Sequence, residues 1–299
     1  MYINRLSDYL KENFGEKLYR ISLDGGMSCP NRDGTCGTRG CIFCSDTGSG
    51  EFTPDKHLSI DKQIEIGKRL VEHKTSSQRF IAYFQAFSNT YAPIEYLRKL
   101  FFSVIQREDI AVLSIATRPD CIGKEVLELL KELNKIKPVW VELGLQTCNE
   151  KTAEFIRRGY PNSVYEEAVY NLKSIGCKVI THVIFGLPYE SKDDMLKTAA
   201  YAGNLSDGLK FHNLYIVKNT DLATIYENQP FHILTMDEYI DILCSSLRLI
   251  PKQTVVHRLT GDGDKKTLIA PLWTVNKKKV LREIENALTD RNIIQGENL

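Results

Sequence analysis

The stretch from Cys29 to Cys44, read CPNRDGTCGTRGCIFC, restricts the fold and chemistry of this chain more than any other. Four of the eight cysteines of the 299-residue chain lie within it. The last two, Cys41 and Cys44, have the spacing that lets two thiolates bind one metal centre from a tight turn. Asp33-Gly34 and further glycines supply the turn conformations that a backbone wrapped round such a centre requires. The stretch therefore predicts one site for a metal that prefers sulfur.

Three kinds of site fit these cysteines to different degrees. A disulfide framework is disfavoured, because a long chain without a secretory signal points to a reducing compartment. A structural zinc ion needs four closed ligands, which Cys29, Cys36, Cys41 and Cys44 can supply. A [4Fe–4S] cluster held by three cysteines leaves one iron open for a ligand that is not protein. The residues alone leave zinc and iron–sulfur as alternatives.

The motif CPNRDGT…GCIFC resembles the cluster loop of radical SAM enzymes, in the long-spaced variant of the Elongator catalytic subunit and its small bacterial relatives. The resemblance implies that Cys29, Cys41 and Cys44 bind a [4Fe–4S] cluster. It also implies that S-adenosyl-L-methionine (SAM) is the second cofactor and that Cys36 is a spare thiol. The short spacing CxxxCxxC, common among radical SAM enzymes, is absent from this chain.

The rest of the chain alternates between helical and strand-like segments, starting with a helix in residues 2–14. We predict strands at 18–23, 79–85, 110–116, 138–145, 177–184 and 208–216, separated by helices. This alternation calls for a parallel α/β sheet, and both an open barrel and a doubly wound sheet satisfy it. The resemblance implies the former. The prediction is a partial (β/α)6 TIM-like barrel over residues 1–220, with an N-terminal helix and a C-terminal α/β extension, 221–299, packed on this radical SAM core as a single structural unit.

The fourth predicted strand carries an unusual polar face. Alternation places Glu142, Gly144 and Gln146 on one side of it, which suits a cavity that holds a polar cofactor. The sequence ELGLQT resembles the EIGVQS-type strand of Elongator-like and coproporphyrinogen-type radical SAM enzymes. That resemblance implies that Glu142 and Gln146 face the bound nucleoside. The alternative for Glu142 is a buried ion pair with Arg118 or Lys210.

Two further strands supply candidate SAM-binding residues. His182, Ile184 and Gly186 share a face of the fifth strand, and the resemblance implies that residues 184–188 pack on the adenine of SAM. Taken alone, His182 is also typical of a core histidine. Gln85 ends the second strand, where radical SAM enzymes often carry a GGE motif that binds the methionine amino group. Gln85 is thus either a cofactor contact or a buried polar strand end.

The catalytic candidates are Arg118, Lys210 and His212. Arg118 belongs to the motif TRPD after the third strand, which also occurs in the Elongator-like proteins, and its alternative is an ion pair with a nearby acid. Lys210 and His212 alternate inward on the sixth strand, where they bring positive or proton-donating groups to the mouth of the barrel.

Charge and hydropathy bear on the partners. The net charge of +1 gives no overall attraction to nucleic acid, so such binding needs a local patch. Residues 252–282 provide one candidate, with eight basic residues against two acidic ones, a net charge of +6. A solvated helix face is the alternative. The N-terminus has no signal peptide and the chain has no apolar run of membrane-spanning length, which predicts a cytoplasmic protein without a membrane partner.

The resemblance also implies a reaction. Such a protein cleaves SAM to a 5′-deoxyadenosyl radical, with electrons from a donor such as flavodoxin or ferredoxin. The implied substrate is tRNA, at the C5 side chain of the wobble uridine, where carboxymethylaminomethyl-uridine becomes aminomethyl-uridine. The alternatives are a radical SAM reaction on a protein or small molecule, and a non-catalytic Fe–S or zinc binding module.

Overall fold

The central element of the fold is a parallel sheet, seen here in a computed structural model that describes residues 1–48, 53–75 and 77–299. The described residues form seven strands in this sheet, in the order β1-β2-β3-β4-β5-β6-β8. Its strands are β1 (Tyr19–Leu23), β2 (Phe80–Phe84), β3 (Ile110–Thr117), β4 (Val139–Gln146), β5 (Lys178–Phe185), β6 (Gly208–Asn213) and β8 (Val255–Arg258). Neighbours follow chain order without the reversal that defines a doubly wound sheet. The predicted partial barrel is therefore confirmed, with a seventh strand added.

The sheet curls into an open barrel. β1 and β8 lie at opposite ends of the pairing order, yet the Arg20 guanidinium on β1 donates to Nδ1 of His257 on β8 over 2.9 Å. A flat sheet would keep these two strands far apart, because each strand adds about 4.8 Å to its width. Side chains that point inward from different strands therefore share one interior.

Helices surround the barrel, and the first of them closes its N-terminal end. They are α1 (Leu6–Phe14), α2 (Ile60–Val71), α3 (Ile94–Ile105), α4 (Lys124–Asn134), α5 (Glu150–Phe155), α6 (Asn162–Ser174), α7 (Lys192–Leu205), α8 (Asp221–Asn228), α9 (Met236–Arg248) and α10 (Lys277–Asp290). Capping boxes begin α7 at Ser191 and α9 at Thr235. Within the described ranges, the structure has no helix that combines the length and the apolar character needed to cross a bilayer.

The barrel interior changes character along its axis. At the N-terminal end, Leu10 of α1 packs against Ile81, Trp140 and Ile180, which closes that end with an apolar plug. Two residues further along these strands, the inward-pointing side chains are polar. Glu142 follows Trp140 on β4, and His182 follows Ile180 on β5. The outer face carries the main core, where Leu143 and Phe185 are completely buried beneath the helices. An apolar floor and a polar upper interior leave the C-terminal end as the place for a site.

The C-terminal segment departs from the predicted pattern. The sixth strand ends at Asn213, short of the predicted residue 216, and the Asn213 side chain accepts hydrogen bonds from Thr260 and Gly261. The chain then forms a short strand, β7 (Ile216–Val217), antiparallel to β9 (Leu268–Ala270). β8 comes from this segment and completes the sheet. The division of domains at residue 220 stays a prediction.

Candidate active site

A cavity of about 600 Å³ opens at the C-terminal ends of the strands. Six of the predicted site residues line it, namely Gln85, Gln146, His182, Ile184, Lys210 and His212. Phe43 lines it as well, and this residue lies between Cys41 and Cys44. The cysteine turn therefore forms part of the wall of the same cavity that receives the strand-end residues.

The cysteine turn is held between two helices. The Ile42 amide donates to the Ile156 carbonyl over 3.2 Å, and the Leu222 amide donates to the Ile42 carbonyl over 2.8 Å. Within the turn, the Cys44 amide donates to the Cys41 carbonyl over 3.0 Å. Ile156 follows α5 and Leu222 begins α8, so the position of the turn is fixed by elements far away in sequence.

The thiols of this loop form no disulfide, and Cys29, Cys41 and Cys44 lie near one another. Cys29 and Cys44 are partly exposed, and both act electrostatically on Cys41. Burial, together with these two neighbours, raises the pKa of Cys41 to about 12. Cys36 is exposed and contacts Asp120 over 4.0 Å. In the part of the chain that the structure describes, no three His, Cys, Asp or Glu side chains are arranged to hold a metal ion. Cysteine side chains presented from a turn, once deprotonated, are the donors that iron–sulfur clusters take.

Beneath the cavity lies a buried ionic cluster centred on Glu142, whose side chain is fully buried. Its carboxylate accepts hydrogen bonds from the Ser114 hydroxyl over 2.8 Å and from Nε2 of His182 over 2.7 Å. It also accepts one from the Lys210 ammonium, and the Arg20 guanidinium lies 3.5 Å away. Burial opposes ionisation, but Lys210 and Arg20 hold the pKa of Glu142 well below its usual value. Of the two partners considered from the sequence, the structure brings Lys210 to Glu142.

The two histidines of the cavity stack on each other, with ring centroids 5.2 Å apart. Burial and the charge of Lys210 lower the pKa of His182 to about 4, so it donates to Glu142 as a neutral ring. Burial and the charge of Arg258 lower the pKa of His212 well below its usual value. Nε2 of His212 is buried and has no hydrogen-bond partner among the residues described.

The glutamines form the upper layer. Gln85 donates to the Ser22 hydroxyl over 3.2 Å. Gln146 ends β4 in the left-handed region, at φ +68°, and its side chain folds back over Gly144. A Cβ at Gly144 would lie 2.8 Å from Nε2 of Gln146. The glycine in the Glu-Gly-Gln face therefore makes room for the amide.

Besides Glu142 and the three cysteines, two further predicted site residues lie outside the cavity lining. Arg118 pairs with Asp120 over 2.6 Å and donates to the Arg158 carbonyl over 2.8 Å, and its charge acts on Cys41. It lies beside the cysteine loop. Gly186 has φ +89° and faces Leu234, which would lie 3.1 Å from an added Cβ. Leu234 therefore packs against the Cα of Gly186, and the contact of this segment with SAM stays a prediction.

Several residues that line the cavity were not predicted as site residues, and three of them contribute charge or an aromatic ring. Arg20 points inward from β1, and Tyr83 lies in the β2 interior with its ring centroid 4.4 Å from the Lys210 ammonium. Arg258 comes from β8. Alternation along Arg20-Ile-Ser22 is a signal that could have found the first. The four residues of β8 are too few for a periodic pattern.

Comparison with known proteins assigns the class. Residues 34–202 match the Radical SAM superfamily and residues 206–290 match the Radical_SAM C-terminal domain. The uncharacterized protein YtqA of Bacillus subtilis is 43% identical over 292 residues, which is 97% of this chain and 91% of that protein. The tRNA uridine(34) acetyltransferase of Methanocaldococcus jannaschii is 28% identical over 155 residues, 50% of this chain and 28% of that enzyme.

A solved structure agrees on the fold. The archaeal Elp3 of Methanocaldococcus infernus, with residues 1–46 deleted, superposes with a TM-score of 0.69 at 15% identity. The match covers 93% of this chain and 64% of that structure.

The chain belongs to the radical SAM superfamily, whose members use a [4Fe–4S] cluster and SAM. Within it, the chain is homologous to the radical SAM region of the Elongator-type proteins, which confirms the resemblance drawn from the cysteine motif. It is therefore a SAM-dependent enzyme.

Proposed function

We propose that this enzyme acts on tRNA and removes the carboxymethyl group from carboxymethylaminomethyl-uridine at the wobble position, leaving aminomethyl-uridine. The observation that carries the proposal is the cavity beside the cysteine loop, whose described lining has five basic residues against one acidic residue. A uridine side chain that ends in a carboxylate complements such a wall. The relative whose name describes action on tRNA uridine 34 matches half of this chain, which supports the same substrate class.

Cys29, Cys41 and Cys44 would hold the cluster, and Cys36 would stay free. With SAM bound, the cluster supplies a radical strong enough to abstract hydrogen from an unactivated carbon. The carbon between the side-chain nitrogen and the carboxylate is a favourable place for abstraction, because both groups stabilise the resulting radical. Loss of one further electron from that radical would give an imine, so that SAM serves overall as the two-electron oxidant of the substrate. Addition of water would then break the carbon–nitrogen bond, releasing the two-carbon unit as glyoxylate and leaving the primary amine on the uridine. Flavodoxin or ferredoxin would deliver the electron, as befits a cytoplasmic enzyme.

The side chains of the barrel bind and orient. Gln85, Gln146, His182 and the segment 184–188 would contact SAM, with Gly186 giving that segment its turn. Glu142 holds His182 and Lys210 in fixed positions through the hydrogen bonds described above. The apolar plug behind this cluster keeps water from entering through the N-terminal end.

The three catalytic candidates act in two places, Lys210 and His212 near the substrate and Arg118 near the cysteine loop. Lys210 and His212 line the cavity that Phe43 of the cysteine turn also lines, where either would hold or deliver a proton at the substrate nitrogen. Arg118 supports the loop from behind by its bond to the Arg158 carbonyl, so we assign it a positioning role.

The proposal is tested in cells by profiling the modified nucleosides of tRNA with and without the gene. Without the gene, we expect carboxymethylaminomethyl-uridine to accumulate and aminomethyl-uridine to disappear. A catalytically dead Cys41→Ala copy should not restore the product, whereas the wild-type gene should. Identical profiles with and without the gene would overturn the proposed substrate.

The start of α10 is a candidate tRNA-binding surface. Lys277, Lys278 and Lys279 occupy its first turn, which contains no acidic residue. Cations are unfavourable at a helix N-terminus, by about 0.3–1 kcal/mol each, because the helix dipole is positive there. A phosphate ligand would offset that cost. Lys265 and Lys266 are exposed as well and belong to the same basic segment.

Charge reversal of this surface is expected to weaken tRNA binding. In a Lys265→Glu, Lys278→Glu, Lys279→Glu variant, the slope of log affinity against log salt should flatten by about 0.7–0.9 per lost phosphate contact. SAM cleavage without tRNA should stay unchanged. Filter binding across a salt series gives the affinity for tRNA and its salt slope, and release of 5′-deoxyadenosine measures SAM cleavage.

A matched control reverses three exposed lysines, Lys124 and Lys131 on α4 and Lys135 directly after it. It makes the same change in net charge on the outer face of the barrel. Equal loss of affinity in both variants would show a general charge effect, and an unchanged α10 variant would leave the segment as solvated surface.

A further inference from the structure

The wall of the cavity carries more basic side chains than acidic ones. Among the described lining residues, Arg20, Lys74, Lys210, Arg258 and Lys277 are basic and Asp262 is acidic. Glu142, below the floor, pairs with Lys210 and approaches Arg20. A partly buried surplus of cations is unfavourable unless an anion completes it. The arrangement therefore points to a negatively charged group on a ligand.

Arg258 is the cation best placed to receive that group. It ends β8, in register with Lys210 on β6, and its side chain is 40% exposed. Its contact with Asp262 is long, at 3.5 Å. Both oxygens of Asp262 are instead bound by the Lys277 ammonium at 2.9 Å. The guanidinium thus keeps donors available for a ligand in the cavity.

His212 adds a second donor beside Arg258. Its Nε2 is buried and has no hydrogen-bond partner in the described ranges, and the charge of Arg258 acts on the ring. The loop after β8 holds this region in place, because the Gly261 amide donates to the Asn213 side chain over 3.0 Å. A Cβ at Gly261 would lie 3.2 Å from Nδ1 of His212. Arg258 and His212 are therefore kept at one end of the cavity.

We propose that Arg258, assisted by His212, binds the terminal carboxylate of the uridine side chain and so selects tRNA that carries it. This inference rests on the proposed function and names the part of the substrate that the enzyme recognises. A guanidinium presents two parallel N–H donors that match the two oxygens of a carboxylate, which a lysine cannot do. A phosphate of the tRNA has the same chemistry, and the experiment separates the two sources.

The test compares binding of two tRNAs to the SAM-loaded protein, one with carboxymethylaminomethyl-uridine and one with aminomethyl-uridine at the wobble position. Wild type is expected to bind the first on the order of tenfold more tightly, the usual effect of a charge-assisted contact. Arg258→Gln should bind both tRNAs equally. Arg258→Lys should keep part of the preference, because lysine retains the positive charge but lacks the paired N–H donors of a guanidinium.

The control is Arg291→Gln, an equally conservative change at an exposed residue outside the basic segment, whose partner is Asp241. It should keep the wild-type preference. Equal weakening of both tRNAs by Arg258→Gln, with a flatter salt slope, would assign Arg258 to a phosphate and overturn the proposal. An unchanged preference in Arg258→Gln would overturn it as well.

A second probe separates this inference from the proposed function. N-methylglycine and its uncharged amide have the same shape, and saturation-transfer NMR reports their binding to the SAM-loaded protein. Wild type that turns over neither tRNA could still bind N-methylglycine in preference to the amide. If Arg258→Gln loses that preference, the carboxylate site is supported and the tRNA substrate is contradicted. If wild type binds neither probe and shows no preference between the tRNAs, the carboxylate site falls too.

Discussion

Anaerobically reconstituted protein will hold about four irons per chain, and alanine at Cys29, Cys41 or Cys44 will remove them. SAM cleavage should fall to background in the same variants, because the open iron that binds SAM exists only in the assembled cluster. The effect is expected to be complete, since each thiolate holds a different iron. Iron analysis and electron paramagnetic resonance of the reduced protein measure the cluster, and release of 5′-deoxyadenosine measures the reaction.

Cys36→Ala is the matched control in the same loop. Cys36 is exposed, and its thiol lies 4.0 Å from an Asp120 oxygen. The variant should keep both iron and SAM cleavage. Loss of the cluster from Cys36→Ala, or its retention in Cys41→Ala, would show that a different set of thiols binds the metal.

Glu142→Gln will lower the free energy of unfolding by about 3–5 kcal/mol, the usual cost of removing one partner of a buried ion pair. The glutamine fits the space, but it leaves the ammonium of Lys210 and the nearby Arg20 without their counter-charge. Urea unfolding of the protein under anaerobic conditions measures the loss. Glu285→Gln, which removes an exposed partner of Arg5, should cost no more than about 1 kcal/mol.

A second change tests the cause of this destabilisation. Adding Lys210→Met to Glu142→Gln removes the unpaired charge and should restore most of the lost stability. If both changes together cost as much as the sum of the two single changes, the charges are not coupled. The buried cluster would then owe its stability to packing alone.

Local patterns were enough to predict six of the seven strands of the barrel. The predicted strand 138–145 is observed as Val139–Gln146, because its alternation is unbroken and helices end cleanly on both sides. The same alternation placed Glu142, Gly144 and Gln146 on one face, which the structure bears out with the acid below and the amide above. The cysteine turn next to the cavity also agrees with the family motif. These features depend on spacing within a few residues.

The features that were missed depend on contacts between distant parts of the chain. Leu234 covers Gly186 from a segment 48 residues later, so the glycine alone could not show what faces it. Arg118 has an acid two residues away in Asp120, and only the fold decides between that acid and Glu142. Arg258 enters the cavity because β8 pairs with β6, although α8 and α9 lie between them in the chain. Curling of the sheet, which a linear pattern does not contain, brings Arg20 to the same interior.

We propose that this radical SAM enzyme removes the carboxymethyl group from the side chain of the wobble uridine. The most direct test incubates the reconstituted protein anaerobically with SAM, a reductant and tRNA that carries carboxymethylaminomethyl-uridine, and follows nucleosides and 5′-deoxyadenosine by mass spectrometry. We expect aminomethyl-uridine to appear together with 5′-deoxyadenosine in wild type and neither to appear with Cys41→Ala. Release of 5′-deoxyadenosine from wild type with no change in any tRNA nucleoside would contradict the claim.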